Sequence, residues 1–299
     1  AEAVRTDVAI IGGGLAGLAC AMGLRGSGLH VTLLEAGEAL GGRARSWTDE
    51  TTGDVVDIGP HILLSEYANL LRLLDLLGTR DRVVWQTDKL LTLLDGRRTI
   101  DMRVRGLPAP MHLAPSLMKV PTLGLRDKLS NTAVTWRALR LEHGGLLALD
   151  EIDAARYLRG EGVSERLLAW FWATVCLAIM NVPVERCSAA ALLGFYRQLV
   201  SHADYRIGFP AVGLGELFVP QARRVIEAGG VTIRTGTAVR SILASEDRCT
   251  GLALADGSVL DARFCIAAVP PQTLAELTPA AWRGREVFRD LGAFQASPY

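Results

Sequence analysis

Residues 7–45 read DVAIIGGGLAGLACAMGLRGSGLHVTLLEAGEALGGRAR. Asp7 to Ile11 is a short β-branched apolar run suited to a buried parallel strand. Gly12, Gly14 and Gly17 follow it at once as G-x-G-x-x-G. Leu15 to Leu24 then carries Leu, Ala and Met at helical spacing, and Gly26-Ser27-Gly28 stops that helix. Val31 to Leu34 is a second apolar strand, closed by Glu35 eighteen residues past Gly17. Each position has a physical task. Gly12 lets the chain turn out of the strand, Gly14 lets a pyrophosphate approach the backbone, and Gly17 lets helix and strand pack closely. The N–H groups of Leu15, Ala16 and Gly17 open the helix and face the phosphates with its positive dipole end. Glu35 is placed to accept hydrogen bonds from a ribose diol. Strand, glycines, helix, strand and acid in register predict a dinucleotide site. They leave NAD and FAD both open. Gly41, Gly42 and Arg43 offer a second glycine pair and a cation to the same pyrophosphate.

Outward from that stretch, the 299 residues suffice for two domains or one large interleaved one. Thirty-two basic and thirty-two acidic residues cancel, so no electrostatic case for nucleic acid exists. Hydrophobic content of 49% and a mean hydropathy of +0.24 suit a protein that handles a lipid or rests on a membrane, and equally a Leu- and Ala-rich core. Five cysteines without a C-x-x-C pair argue against a disulfide framework and a zinc site, and fit a reducing cytoplasm. A strand beginning by residue 7 leaves no room for a signal peptide ahead of it. Leu167 to Val184 holds no charge, yet Pro183 should end its helix near Asn181, short of a membrane span of about 20 residues.

Asp54 to Ile58 is expected as a strand after a polar loop, 46–52. Ser65 should cap a helix to Leu77 with six leucines in the core, ended by Gly78. Residues 83–105 read as strands around an Asp95-Gly96 hairpin. The prolines of 107–121 forbid one long helix and suggest a lid, a membrane-touching loop or a packed connection. Arg126 to Leu141 is expected as one helix, Ser164 as cap of the apolar helix and Ser188 as cap of the next. Pro220 is expected in the first turn of a helix through Glu227. Strands are expected at 231–234, 238–243, 251–254 and 263–268.

Residues 7–45 resemble the FAD-binding N-terminus of the flavin amine oxidase and phytoene desaturase superfamily, where E-A…G-G-R follows the fingerprint. Asp57-Ile58-Gly59-Pro60-His61 resembles that superfamily's D-x-G-x-H turn, and residues 236–242 resemble the strand whose valine meets the adenine. The resemblance implies FAD, held by Gly12, Gly14, Leu15, Ala16, Gly17, Glu35, Ala36, Gly42, Arg43, Gly59, Pro60, His61 and Val239. It implies an α/β fold: a Rossmann-like FAD domain of glutathione-reductase type, interleaved with a mixed strand and helix substrate domain. The expected pieces are 1–82 and 213–272 for FAD, 83–212 for substrate, and 273–299 as a return into the substrate domain. Residues 59–78, 107–117 and 170–192 are further similar to the squalene-associated FAD-dependent desaturases, or hydroxysqualene dehydroxylases. That similarity implies an isoprenoid lipid substrate, squalene or hopanoid biosynthesis, hydride transfer at flavin N5, and NADPH as external reductant for dehydroxylation. Phe171, Trp172, Cys176 and Asn181 would then line a substrate tunnel, and His61 would be the candidate acid. Carotenoid desaturase, amine oxidase and a non-catalytic fragment of a split enzyme are the alternatives. The superfamily's late G-x-x-G-A-x-x-S-G segment is not found, so a further segment or second polypeptide is expected to complete the FAD site. Localisation is expected in the cytoplasm, with peripheral contact to its membrane.

Overall fold

The computed structural model describes residues 4–295 apart from 60, 88, 97 and 105. Pro60 therefore lies outside the described residues. The chain forms two compact units and crosses between them after residues 63, 66, 84 and 208.

The first unit is built on β1 (Val4–Ile11), α1 (Leu15–Leu24), β2 (Val31–Leu34), β3 (Ser46–Thr48), β4 (Val55–Asp57), α2 (Ala68–Leu77), α3 (Leu214–Ala228), β5 (Thr232–Arg234), β6 (Val239–Ser245), β7 (Arg248–Leu254), β8 (Val259–Ala267) and α4 (Pro271–Leu277). Its six-stranded sheet runs β5-β2-β1-β8-β7-β6. The four strands from β5 to β8 are parallel, and β8, β7 and β6 form an antiparallel meander. β1 and β2 can be apolar throughout because the middle of a parallel sheet is covered on both faces; Ala9, Ile10 and Leu33 are wholly buried. The core beneath the meander gathers Ile11, Leu34, Leu252, Leu254 and Leu260. Leu274, Leu277 and Trp282 pack on it. Residues 273–295, expected to lead back into a substrate domain, thus belong to the first unit.

α1 and β2 have the bounds that the glycine pattern predicts, and β1 starts three residues earlier than expected. Three other elements differ. The polar stretch after Arg45 contains β3, which pairs antiparallel with β4 through Ser46↔Asp57 and Thr48↔Val55. α2 starts at Ala68 rather than after Ser65, because the Ser65 hydroxyl accepts from Arg206 N instead (3.0 Å). Gly78 ends α2 in the left-handed region as predicted, but Leu76 faces solvent at 53% exposure. α3 starts at Leu214, six residues before Pro220, which sits inside it and is exposed. The missing N–H costs one helical bond.

The second unit, 85–208 with 64–66, has the Lys89–Asp95 and Arg98–Arg103 hairpin against a helical core. The expected 126–141 helix is broken into Leu125–Leu129 and Thr132–Arg140, because Asn131 turns inward to serve the core. Its Oδ1 accepts from Trp172 Nε1 (3.0 Å) and its Nδ2 donates to the Tyr196 hydroxyl (2.8 Å), which also bonds Thr135 Oγ1 (2.8 Å). Ser164 and Ser188 cap their helices through Leu167 N and Ala191 N. The apolar helix is α-helical over Glu165–Leu167, widens to a π turn over Leu168–Trp172, and resumes from Ala173 to Met180. Asn181 ends it in the left-handed conformation. Among the described residues no helix is long and apolar enough to cross a membrane.

His112 is wholly buried in this unit. Its Nε2 donates to the Leu199 carbonyl (3.2 Å), and Nδ1 has no partner among the described residues. Burial pushes its pKa below the usual histidine range. The folded state therefore prefers the neutral ring. That contribution to stability is present above about pH 6.5, the unfolded value, and is lost as pH falls toward the folded one. Thermal melts should show His112→Leu losing less stability than the native chain between about pH 7 and pH 5.

Candidate dinucleotide site

The loop between β1 and α1 is fixed from below. Gly12 N donates to the Leu34 carbonyl (2.8 Å) and Ala268 N to the Ile11 carbonyl (2.8 Å). A Cβ on Gly17 would lie 1.8 Å from Gly12 O, so only glycine allows helix and turn to meet here. Gly14 is the N-cap of α1; no side chain caps that terminus, and its first turn carries no acid. The N–H groups of Ala16 and Gly17 have no partner among the described residues and can meet an anion.

The second glycine pair lies against the first loop. Gly41 N donates to Gly13 O (2.9 Å), and Gly14 and Gly41 form a parallel bridge. A Cβ on Gly14 would find only Gly42 Cα, at 3.9 Å. Two bare backbones therefore face one space. Arg43 follows in the Gly42–Ala44 turn, exposed and without an ion pair among the described residues. This cradle fits a pyrophosphate: unpaired N–H groups, a helix dipole and one uncommitted guanidinium.

Glu35 is half-buried at the end of β2. Its Oε2 accepts from Gly13 N (2.7 Å) and its Oε1 from Gly37 N (2.8 Å). Each oxygen keeps a lone pair for a ribose hydroxyl. The sequence predicted the diol contact and missed this bracing of the glycine loop. Ala36, exposed beside it, lies in a loop bonded to the chain ahead of β6. Glu35 N donates to Arg234 O (2.9 Å), Thr237 N to Glu35 O (2.8 Å) and Gly236 N to Gly37 O (2.9 Å). Those bonds bring Val239, at the start of β6, next to the acid loop.

Asp57 has a role the sequence did not reveal. Its Oδ1 accepts from Ser46 Oγ (2.5 Å) and from Leu214 N (2.9 Å), and Ser46 Oγ accepts from Gly215 N (2.7 Å). The pair caps α3 from more than 150 residues away in sequence, which explains why α3 begins where no local cap residue stands. The legible signal was Gly213-Leu214-Gly215: a Cβ at Gly215 would lie 2.8 Å from Ser46 N. Asp57→Ala should lower stability by about 1–2 kcal/mol, a melting shift of roughly 2–8 °C, with Asp57→Asn recovering part of it.

His61 is half-buried, and its Nδ1 lies 2.5 Å from Gly59 O. Nε2 has no partner among the described residues. Ile58, Ile62 and Tyr67 are exposed around it in sequence. In the second unit, Trp172 and Cys176 are wholly buried and Phe171 nearly so. Trp172 and Cys176 belong to the hydrophobic core cluster of this unit. Trp172 packs on Phe171 and Tyr196 (ring centroids 5.5 and 4.6 Å). Cys176 Sγ reaches Val182 O (3.4 Å), and burial pushes its thiol up to about 12, which leaves no thiolate near neutral pH. The open face of that helix carries Leu177, Ile179 and, beyond its end, Asn181. Among the described residues no cluster could hold a metal.

Comparison with known proteins agrees with this geometry. The family described as "Flavin containing amine oxidoreductase" matches residues 15–297. The zeta-carotene desaturase of Synechocystis sp. is 26% identical over 293 residues, covering 92% of this chain and 60% of that protein. The 15-cis-phytoene desaturase of Solanum lycopersicum is 25% identical over 301 residues, covering 95% of this chain and 50% of that protein. The chain thus spans half to three fifths of these relatives. The structure of putrescine oxidase with putrescine bound has the same fold, with a TM-score of 0.68 at 20% identity over 92% of this chain and 60% of that one. With FAD as the dinucleotide that the cradle fits, the chain belongs to the flavin-containing amine oxidoreductase family.

Proposed function

We propose that the protein is an FAD-dependent oxidoreductase acting on an isoprenoid lipid in the cytoplasm. The observation that carries this reading is the double glycine cradle, where Gly14 faces Gly42 and Arg43 stands uncommitted. FAD supplies two-electron hydride chemistry in either direction. The chain's own part is to hold and screen. Leu15, Ala16 and Gly17 N–H groups and Arg43 neutralise the pyrophosphate; Glu35 takes the ribose, and the Val239 backbone frames the adenine. Ile58, Ile62 and Tyr67 supply exposed apolar surface in the sequence around His61, which favours a lipid and disfavours water. His61, whose Nδ1–H is held by the Gly59 carbonyl, would give a departing hydroxyl its proton from Nε2 as the imidazolium.

Two reactions share that site. The similarity of residues 59–78, 107–117 and 170–192 to hydroxysqualene dehydroxylases supports reductive loss of an allylic hydroxyl as water, with NADPH as electron source. The relatives named as carotene and phytoene desaturases support removal of hydride from the lipid instead. The test is anaerobic reaction of flavin-loaded protein, supplied with NADPH for the reductive reaction and with an added quinone as electron acceptor for the desaturation. Hydroxysqualene with NADPH giving squalene supports the first; phytoene or zeta-carotene gaining a double bond supports the second. A colourless chain that takes up no FAD sinks both and leaves a non-catalytic fragment.

A further inference from the structure

The helical part of the second unit carries a cleft of about 330 Å³ that shares no residue with the glycine cradle. That size lies at the small end of ligand pockets, roughly 300–1,000 Å³. Two helices and the chain between them build it. On Thr132–Arg140, Val134 and Ala138 are buried in the core, while Trp136, Arg137 and Arg140 are exposed. On Ala154–Gly160, Ala154, Ala155 and Leu158 are buried, and Tyr157 is half-buried beside them. Leu141, Gly145 and Leu149 complete the lining. Gly145 leaves room, for a Cβ there would meet only Leu141 Cγ, at 3.9 Å. The Trp136 indole, 51% exposed, gives the cleft an aromatic wall.

The polar groups of the cleft are donors, and no carboxylate lines it. Arg137 is committed: its Nε donates to Glu161 Oε2 (2.6 Å), whose side chain is 10% exposed. The Leu141 carbonyl accepts from Arg197 (2.7 Å). Arg140 is different. Its guanidinium carbon lies over the Trp136 ring, 5.7 Å from the centroid, and it has no ion pair or hydrogen bond among the described residues. A guanidinium over an indole face keeps its N–H fork open for a planar, bidentate acceptor. The Tyr157 hydroxyl is also unpaired among the described residues. Burial and the Glu161 charge hold its pKa above the usual tyrosine range, so it stays a donor. With Arg137 neutralised by Glu161, one positive charge is left over. One carboxylate balances it, whereas a phosphate dianion calls for a second cation.

We propose that this cleft binds a small monocarboxylate with an aromatic body, its carboxylate in the Arg140 fork and its rings against Trp136. The site goes beyond the catalytic reading and does not rest on it, since binding needs neither flavin nor turnover. The test is calorimetric titration of the 299-residue chain with 2-naphthoate and with its uncharged isostere, 2-naphthamide. Naphthoate should fill one site with a Kd on the order of 100 μM. Naphthamide should bind at least about tenfold more weakly. Arg140→Gln should remove that difference, and Arg140→Lys should keep part of it. Gly145→Leu should fill the cleft and weaken both probes at least about tenfold. Arg156→Gln, which removes an exposed cation outside the lining, should bind as the native chain does. All three positions are exposed, and circular dichroism melts confirm that the variants fold. Equal affinity for acid and amide overturns the proposal. So does native-like naphthoate binding by the Gly145→Leu chain, or no saturable binding below about 1 mM.

Discussion

Gly17→Ala is expected to destabilise the first unit by about 3 kcal/mol or more, although it adds a single methyl group. The added carbon would lie 1.8 Å from Gly12 O and 3.0 Å from Gly12 C, both backbone atoms. Nothing there can rotate away. Either α1 lifts from the β1 turn or the turn changes shape, and the turn is pinned by the bonds from Gly12 N to Leu34 and from Ala268 N to Ile11. A thermal melt should show the first unit's transition roughly 6–12 °C lower. The second unit should keep its own transition, because it is held by a core cluster of its own. A variant that melts with the native chain would refute the close packing of helix and strand.

Gly14→Val is expected to do the opposite: leave the fold standing and remove the cofactor. Gly14 has an extended backbone, φ −74° and ψ −179°, which valine adopts readily. Its Cβ would meet only Gly42 Cα at ordinary contact distance. The methyl groups would instead fill the space that two bare backbones enclose. The pyrophosphate would lose charge-assisted bonds to the α1 N–H groups, each worth about 1.5–3 kcal/mol. Flavin affinity should fall on the order of hundredfold or more. The measurement is flavin released on denaturation and FAD fluorescence titration, read beside an unchanged melt. A fully flavinated variant would refute the phosphate assignment. Two glycines of one motif are thus separated by what each faces, chain or ligand.

The first forty-five residues were legible because their signals are local. Strand, turn and helix each follow from side chains within a few positions, and α1 and β2 carry the predicted bounds. The elements that differ were decided from far away. α3 begins at Leu214 because Asp57 and Ser46 cap it, and the proline that looked like a start signal sits inside it. The helix expected over 126–141 is interrupted because the indole of Trp172 and the hydroxyl of Tyr196 need partners in a core that no local pattern of 131 displays. Trp170 to Asn181 shows the same limit from the other side: an uncharged helix is apolar on every face, so its sequence does not say which face is core. The structure puts Trp172 and Cys176 inward and Leu177 and Ile179 outward. For the cofactor cradle, the residues alone left Gly41 and Gly42 open between a second phosphate loop and an ordinary one, and the bond from Gly41 N to Gly13 O sets them against the first glycine loop.

The strand order of the first unit also sets a timetable. β1 lies between β2 and β8, and Val8 finds its neighbour Phe264 only once residue 264 has been made. At about 5–20 residues per second, a ribosome needs tens of seconds to deliver that partner. The second unit needs no such wait, for every buried residue of its core cluster except Leu64 comes from the continuous run 85–208. Synthesis therefore releases a second unit able to close early and a nucleotide-binding strand with one open edge, exposed to mispairing until β8 arrives.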